Sequence, residues 1–197
     1  MLIEKFRISI HRHYYRICLA QRKAYETLDA QLAALVNEAI SEEEIETNLE
    51  KQQECYELRE QAAVIVITFA GMCLEAFFYD YAATHLGDTY AKEHLDKLDL
   101  KSKLLIVPRL VCGKEIDKST HVYQKVQQLV TDRNYLVHFK SKGFEVSEMH
   151  KASEAHDEMN KRFKDAMSNG IEAIELVMKE LDKLHSRPNY YFDRVCT

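Results

Sequence analysis

The sequence predicts an all-α protein: a helical bundle of about five helices with a long N-terminal helical extension. Glycine (5) and proline (2) are scarce among the 197 residues, too few for the many tight turns of a β-sandwich or barrel. Gly87, Gly113 and Gly143 divide the chain, and each segment between them has the apolar spacing of an amphipathic helix. Hydrophobic residues make up 46% of the chain, which argues against general disorder.

The first half of the chain predicts two long helices. One spans about 6–39, and Ser41 with Glu44 then forms a capping box that opens a second helix running to about Leu86. The β-branched run ending at Phe69 is compatible with a buried strand, but no turn residues bound it, so a helix is preferred. Gly87 is the expected stop of this helix.

The second half predicts three further helices. Pro108 is expected to break or kink a short one. Ser119 or Thr120 opens the next, which runs to about Lys140, and the last covers about 147–184. We therefore divide the chain into an N-terminal helical arm at 1–40, a bundle at 41–187 and a C-terminal tail at 188–197.

Charge, cysteine spacing and hydropathy limit the possible functions. The net charge of −5 excludes a globally basic nucleic-acid binder, although 97–142 holds ten basic residues against four acidic ones. The five cysteines form no C-x-x-C pair, which indicates reduced thiols and a cytoplasmic protein. The apolar run at 62–79 carries Glu75 near its end, so we expect a buried core helix and no membrane association.

The helix ending near Lys140 carries the residues most suited to chemistry. Arg133 falls in the middle of its apolar stripe, where an arginine requires a carboxylate, a phosphate or an interface. Asn134 and His138 are four residues apart and therefore share one helix face. Arg133 and His138 lie only a turn and a half apart, so one cleft could be lined by both.

Arg133 to His138 reads R-N-x-x-x-H, and here the chain resembles the HEPN superfamily (higher eukaryotes and prokaryotes nucleotide-binding). The order of parts is also similar: an apolar helix with L-E-A-F-F at 74–78, a segment from Lys101 or Lys103 to Pro108, then the motif helix. The resemblance covers about 60–142. It implies a HEPN-like helical bundle and a metal-independent endoribonuclease of the toxin or defence type.

In such an enzyme the 2′-OH of the RNA attacks the adjacent phosphate. His138 would move protons, because histidine exchanges them near neutral pH. Arg133 would clamp the phosphate through paired N–H donors, and Asn134 would hold the histidine or a phosphate oxygen. One chain offers one motif histidine, whereas family members typically face two motifs into a shared cleft, so we predict a homodimer. The family also suggests an antitoxin, often nucleotidyltransferase-like, as a partner.

Glu75 is the second notable position, because it lies on a helix that is apolar nearly all round. It could orient Arg133 or His138, or simply neutralise a buried Arg133. His11 and Tyr15 belong to an N-terminal basic and aromatic cluster that could contact RNA or form one face of an amphipathic helix. No cofactor or metal is expected. Possible RNA-binding cations are Lys101, Lys103, Arg109, Lys140 and Lys142.

Two other interpretations of the sequence stay open. The chain could be a non-catalytic HEPN-like module that binds a nucleotide or a partner protein, which would suit the nine glutamates within 38–60. It could also be a purely structural bundle in which R-N-x-x-x-H is coincidental. In that case Arg133 forms a buried salt bridge and His138 is a capping or core residue.

Overall fold

A computed structural model describes residues 8–141 and 143–197, and within these ranges it contains helices and no β-strand. The predicted all-α class is therefore confirmed. Three short helical turns, Glu42–Glu44, Ala91–Leu95 and Val146–Glu148, link the longer elements. The helices are α1 (His11–Asn37), α2 (Ile45–Leu86), α3 (Asp88–Tyr90), α4 (Leu100–Cys112), α5 (His121–Val137), α6 (Met149–His185) and α7 (Tyr190–Cys196).

Helix α2 is the central element, and α1, α4, α5 and α6 all pack against it. The β-branched run ending at Phe69 lies inside α2, where Val66 and Ile67 are fully buried, so the strand alternative was wrong. By length and composition alone, Glu42–Leu86 could cross a membrane, and 56% of its most apolar window is buried within the chain. Helix α2 therefore forms one side of the candidate site.

The first two helices form an antiparallel hairpin. The predicted capping box is present: the backbone N–H and the hydroxyl of Ser41 both donate to the Glu44 carboxylate, over 3.0 and 2.7 Å. The buried Cys18 thiol donates to the Val66 carbonyl of α2, and burial raises the pKa of this thiol to about 12, so it stays protonated. Helix α1 is thus packed along the bundle.

Helix α6 crosses α2 at very short range because Gly170 lies at the crossing. A Cβ atom added at Gly170 would come within 3.0 Å of the Ala70 Cβ and 3.5 Å of the Leu129 Cδ1. The absent side chain lets α6 approach α2 and α5 together. Helix α6 runs unbroken through this glycine.

The C-terminal segment is a folded part of the bundle. The buried Asp182 carboxylate accepts hydrogen bonds from the backbone N–H groups of Tyr191 (2.6 Å) and Phe192 (3.1 Å), which fixes α7 against α6. Tyr191 and Val195 enter the same core as α2 and α6. The domain boundaries at 40 and 187 stay a prediction, but both flanking segments contribute to this shared core.

Helix α4 continues through Pro108 to Cys112, so the helix does not break at the proline, and a kink there stays a prediction. The Asp99 side chain caps its start by accepting from the Ser102 N–H at 3.1 Å, and Gly113 ends it with a φ of +70°, a conformation that glycine adopts without strain. The helix therefore presents Lys103 to α2 from its first turn.

Candidate functional site

Helix α5 holds the motif and is defined at both ends by local hydrogen bonds. The Thr120 hydroxyl caps its start, as predicted, by accepting from the Tyr123 N–H at 3.4 Å. The helix ends at Val137, three residues earlier than predicted. His138 takes the C-cap position, with its N–H donating to the Asn134 carbonyl at 3.0 Å.

The buried face of α5 is shifted by one residue from the predicted stripe. Val122, Val126 and Leu129 are buried as expected, but the next buried position is Asp132 (4% exposed). Arg133 is half-buried at the edge of this face. The 3.6-residue period allows either position 132 or 133 after Leu129, and the sequence pattern alone does not separate them.

Arg133 extends its side chain across α2 at Gly71. A Cβ atom at Gly71 would lie 3.1 Å from Arg133 Cδ and 3.6 Å from its Nε, so the glycine provides the space in which this side chain lies. Within residues 8–141 and 143–197, no carboxylate pairs with the Arg133 guanidinium at salt-bridge distance. The buried salt bridge expected by the structural interpretation is therefore not formed in this part of the chain.

Asn134 and His138, the other motif residues, are exposed to solvent, as are Val137 and Phe139 beside them. The capping position of His138 agrees with one element of the structural interpretation. It also leaves the imidazole free to reach a ligand, because the cap is made by the backbone. Arg133 thus lies at the inner edge of a surface on which Asn134 and His138 are open to solvent.

Glu75 pairs with Lys103 of α4, and the expected pairing with Arg133 is not seen. Gly71 and Glu75 are four residues apart on one face of α2, so Arg133 and Lys103 approach successive turns of the same helix. The Glu75 carboxylate therefore pairs with Lys103 and not with Arg133. Lys103 is only 5% exposed and its ammonium is held by Glu75, so it is not accessible to RNA in this structure, and its contact with RNA stays a prediction.

The remaining predicted RNA-binding cations are distributed over the surface. Arg109 is exposed and pairs with Glu115 at 2.9 Å, Lys101 is half-buried, and Lys140 is exposed two residues after His138. Lys142 lies outside the described residues. Of this set, Lys140 is the cation close to the motif in sequence.

The N-terminal basic and aromatic cluster is divided by the structure. His11 and Tyr15 are buried, and the Tyr15 hydroxyl donates to Glu175 at 2.8 Å. Only Arg12, His13 and Arg16 point outward from this turn of α1. The amphipathic-face alternative therefore describes the cluster better than an RNA-stacking surface.

Sequence reasoning missed an electrostatic network next to the motif. Burial raises the pKa of the Asp132 carboxyl above its ordinary value. The carboxylate accepts from Gln128 Nε2 at 2.9 Å and lies 3.7 Å from the Arg162 guanidinium of α6. The Arg162 guanidinium in turn lies 3.6 Å from the centre of the Tyr135 ring. The signal available in the sequence was Asp132 itself, because the helical period allows position 132 to be buried.

This network borders an open cleft of about 510 Å³ between α5 and α6. Asp132 and Arg162 line the cleft, but Arg133, Asn134 and His138 do not. The motif side chains therefore lie outside this cleft. In the described part of the chain, no group of three or more His, Cys, Asp or Glu side chains could hold a metal ion.

Comparison with known proteins found no match: no family model, no curated protein and no solved structure is similar to the chain.

Proposed function

We propose that the chain is a HEPN-like, metal-independent endoribonuclease that acts as a homodimer through Arg133, Asn134 and His138. One observation carries the proposal. An arginine lies half-buried against Gly71 without a carboxylate partner among the described residues, five positions before an exposed histidine. A guanidinium held in this way is suited to bind an anion that arrives from outside, and an RNA phosphate is such an anion.

The chemistry requires two proton transfers and stabilisation of negative charge. One His138 imidazole takes the proton from the 2′-OH as its oxygen attacks phosphorus and forms a 2′,3′-cyclic phosphate. The bond from phosphorus to the 5′-oxygen breaks, and a second imidazole gives that leaving oxygen its proton. Arg133 donates hydrogen bonds to the phosphate oxygens as charge builds up on them, and Asn134 orients the adjacent groups.

An exposed apolar surface around the motif supports the proposed dimer. Val137 is 69% exposed, Phe139 is 50% exposed, and Val146 and Met149 follow across the loop to α6 with 87% and 65%. Exposed apolar groups of this size favour burial against another protein surface. Pairing two copies here would bring two His138 side chains together and supply the second proton-transfer group.

The partners and the location belong to the same proposal. The substrate is RNA, with Lys101, Arg109 and Lys140 as the accessible candidates for contacting its backbone. An antitoxin, often nucleotidyltransferase-like in the family, would restrain the enzyme, and the cytoplasm would be its compartment.

A non-catalytic module is the second candidate, and one observation favours it. A cleft of about 640 Å³ lies at the tip of the α1–α2 hairpin, between residues such as Leu35 and Glu54, far along α2 from Gly71. Its combination of apolar and acidic side chains suits a basic amphipathic partner better than a nucleic acid. In this case binding would survive His138→Ala.

The test is cleavage of end-labelled RNA by the purified protein in EDTA, beside Arg133→Ala and His138→Ala. The proposal expects 2′,3′-cyclic phosphate ends and loss of cleavage in both variants, with folding and dimerisation unchanged by circular dichroism and light scattering. Cleavage that persists in folded, dimeric His138→Ala would contradict the assigned role. Absence of cleavage on several RNAs would favour the binding module.

A further inference from the structure

A further cavity lies between the start of α1, the C-terminal part of α2, and α7 with the residues just before it. Its volume is about 230 Å³, and it contains none of the motif residues. Three aromatic side chains, Phe77 and Tyr81 of α2 and Tyr191 of α7, form its buried part. The rings pack edge to face or stack, with centres about 5.5 to 6.1 Å apart.

The polar ends of these rings are bonded within the protein. The Tyr81 hydroxyl lies 2.5 Å from His185 Nε2, and the Tyr191 hydroxyl lies 3.3 Å from His85 Nε2. The two imidazoles stack on each other with centres 5.7 Å apart. Asp182 fixes the start of α7 through the backbone of Tyr191. The cavity is therefore preformed and the hydroxyls of these two tyrosines already have partners, while Tyr190 of the lining, 40% exposed, offers accessible ring surface.

The rim of the cavity carries positive charge. Arg187 and Arg194 are exposed, and their guanidinium carbons lie 5.2 and 5.3 Å from the centre of the Tyr190 ring. Arg194 Nη1 also donates to the Tyr190 hydroxyl at 2.8 Å. Within the described ranges, neither arginine has a carboxylate at salt-bridge distance. Asp80 is the acidic residue of the lining.

The histidines add little charge to this rim. Desolvation lowers the pKa of His11 and His85, with the neighbouring His185 and arginines acting in the same direction on His85. Two guanidinium groups against one carboxylate leave the cavity with a net positive charge. Since the floor is aromatic and the rim is cationic, a ligand with a ring at one end and an anion at the other would satisfy both parts.

We propose that this cavity binds a small planar aromatic ligand with one anionic group, a carboxylate or a phosphate. The ligand ring lies against Tyr190 at the mouth of the aromatic cluster, and Arg187 and Arg194 bind the anion. The volume is below the roughly 300–1,000 Å³ of pockets for drug-sized ligands, so a single ring fits better than a larger fused system or a polymer. The site is independent of the nuclease proposal, because it shares no residue with the motif.

The test is isothermal titration calorimetry of the full chain at neutral pH with four probes: phenyl phosphate, phenylacetate, benzyl alcohol and inorganic phosphate. We expect saturable binding of phenyl phosphate, phenylacetate or both, at least about tenfold tighter than binding of the neutral alcohol or of phosphate alone. The phosphate and carboxylate probes separate the two kinds of anion. Circular dichroism verifies that every variant is folded.

Three variants test whether the arginines of the rim bind the anion. Arg187→Gln and Arg194→Gln should each weaken binding about tenfold or more, because each loses one charge-assisted contact. Arg22→Gln is the matched control: a solvent-accessible arginine on α1, paired with Glu26, that should leave binding unchanged. An equal loss in all three variants would show attraction to overall charge and would overturn the site.

Other results would also overturn the proposal. Equal affinity for inorganic phosphate and phenyl phosphate would indicate an adventitious ion only, without a role for the ring. No saturable heat with any probe up to about 10 mM would mean that the cluster only fastens α7 to the bundle. Displacement of phenyl phosphate by a short RNA would assign the cavity to nucleic acid. The probe comparison on the unmodified protein decides even where an arginine variant fails to fold.

Discussion

Replacing Glu75 by alanine is expected to destabilise the protein through Lys103, with no direct effect on Arg133. Lys103 has a side chain only 7% exposed, and its ammonium is paired with Glu75, whose side chain is 30% exposed. Removing the carboxylate leaves the buried cation without this partner, with Asp80 and Asp96 as the other carboxylates that line the same cleft. The removal of one member of a fully buried pair costs about 3–5 kcal/mol.

The expected cost is at or below the lower end of that range. Glu75 and Lys103 border a cleft of about 340 Å³, so water can solvate part of the remaining charge. We expect Glu75→Ala to lower the free energy of unfolding by about 2–3 kcal/mol. For a chain of this size, that loss corresponds to a decrease in Tm of about 5–10 °C.

A double-mutant cycle with Lys103→Met isolates the pair. The methionine keeps most of the volume and removes the charge, so the double variant should be within about 1 kcal/mol of the wild type. The coupling energy should be about 1.5–3 kcal/mol, measured by urea unfolding followed by circular dichroism. A second cycle with Glu75→Ala and Arg133→Ala is the control and should couple by less than about 0.5 kcal/mol.

The reverse pattern would refute this reasoning. If Glu75 couples strongly to Arg133 and weakly to Lys103, then Glu75 neutralises the motif arginine in solution. The guanidinium would then have its own partner inside the chain. The main observation behind the nuclease proposal would no longer hold.

Three further predictions test other parts of the structure. Gly170→Ala should destabilise the protein by about 1–2 kcal/mol in urea unfolding, because the clash of a Cβ 3.0 Å from the Ala70 Cβ costs more than the roughly 1 kcal/mol gained in helix propensity. A more stable variant would contradict the close crossing. Phe139→Ser should weaken dimerisation in sedimentation without loss of helicity, and unchanged association would move the dimer interface elsewhere. Tm should fall as the pH drops below about 6.5, since desolvation lowers the pKa of His85 and His185 in the folded state and the unfolded chain binds those protons more readily. The arginines and Lys114 near these imidazoles act in the same direction, and a His85→Phe variant should flatten the dependence.

The sequence predicted features that depend on neighbours along the chain. The Ser41 capping box and the Thr120 cap need only a few adjacent residues, and both form as expected. The helical state of α2, despite its β-branched run, followed from length and from the absence of turn residues. Features of this kind are predictable because the residues that form them are neighbours in the sequence.

Prediction from the sequence failed where the outcome depends on a contact between two segments that are distant along the chain. Whether Glu75 meets Arg133 or Lys103 depends on how α4 and α5 approach α2, and periodicity does not fix that approach. Position 132 rather than 133 is fully buried because α6 brings Arg162 to it. Helix α7, only seven residues long, is marginal by itself and is held by Asp182 and by burial of Tyr191, so composition suggested a tail.

The most direct test of the central claim is RNA cleavage in EDTA by the wild type, Arg133→Ala and His138→Ala, all verified as folded dimers. We expect 2′,3′-cyclic phosphate products from the wild type and a loss of at least about 100-fold in rate for each variant. A mixed dimer of the two variants holds one His138 and one Arg133, so its rate should stay well below that of the wild type, because the proposed reaction uses two imidazoles. Full cleavage by folded, dimeric His138→Ala would contradict the account.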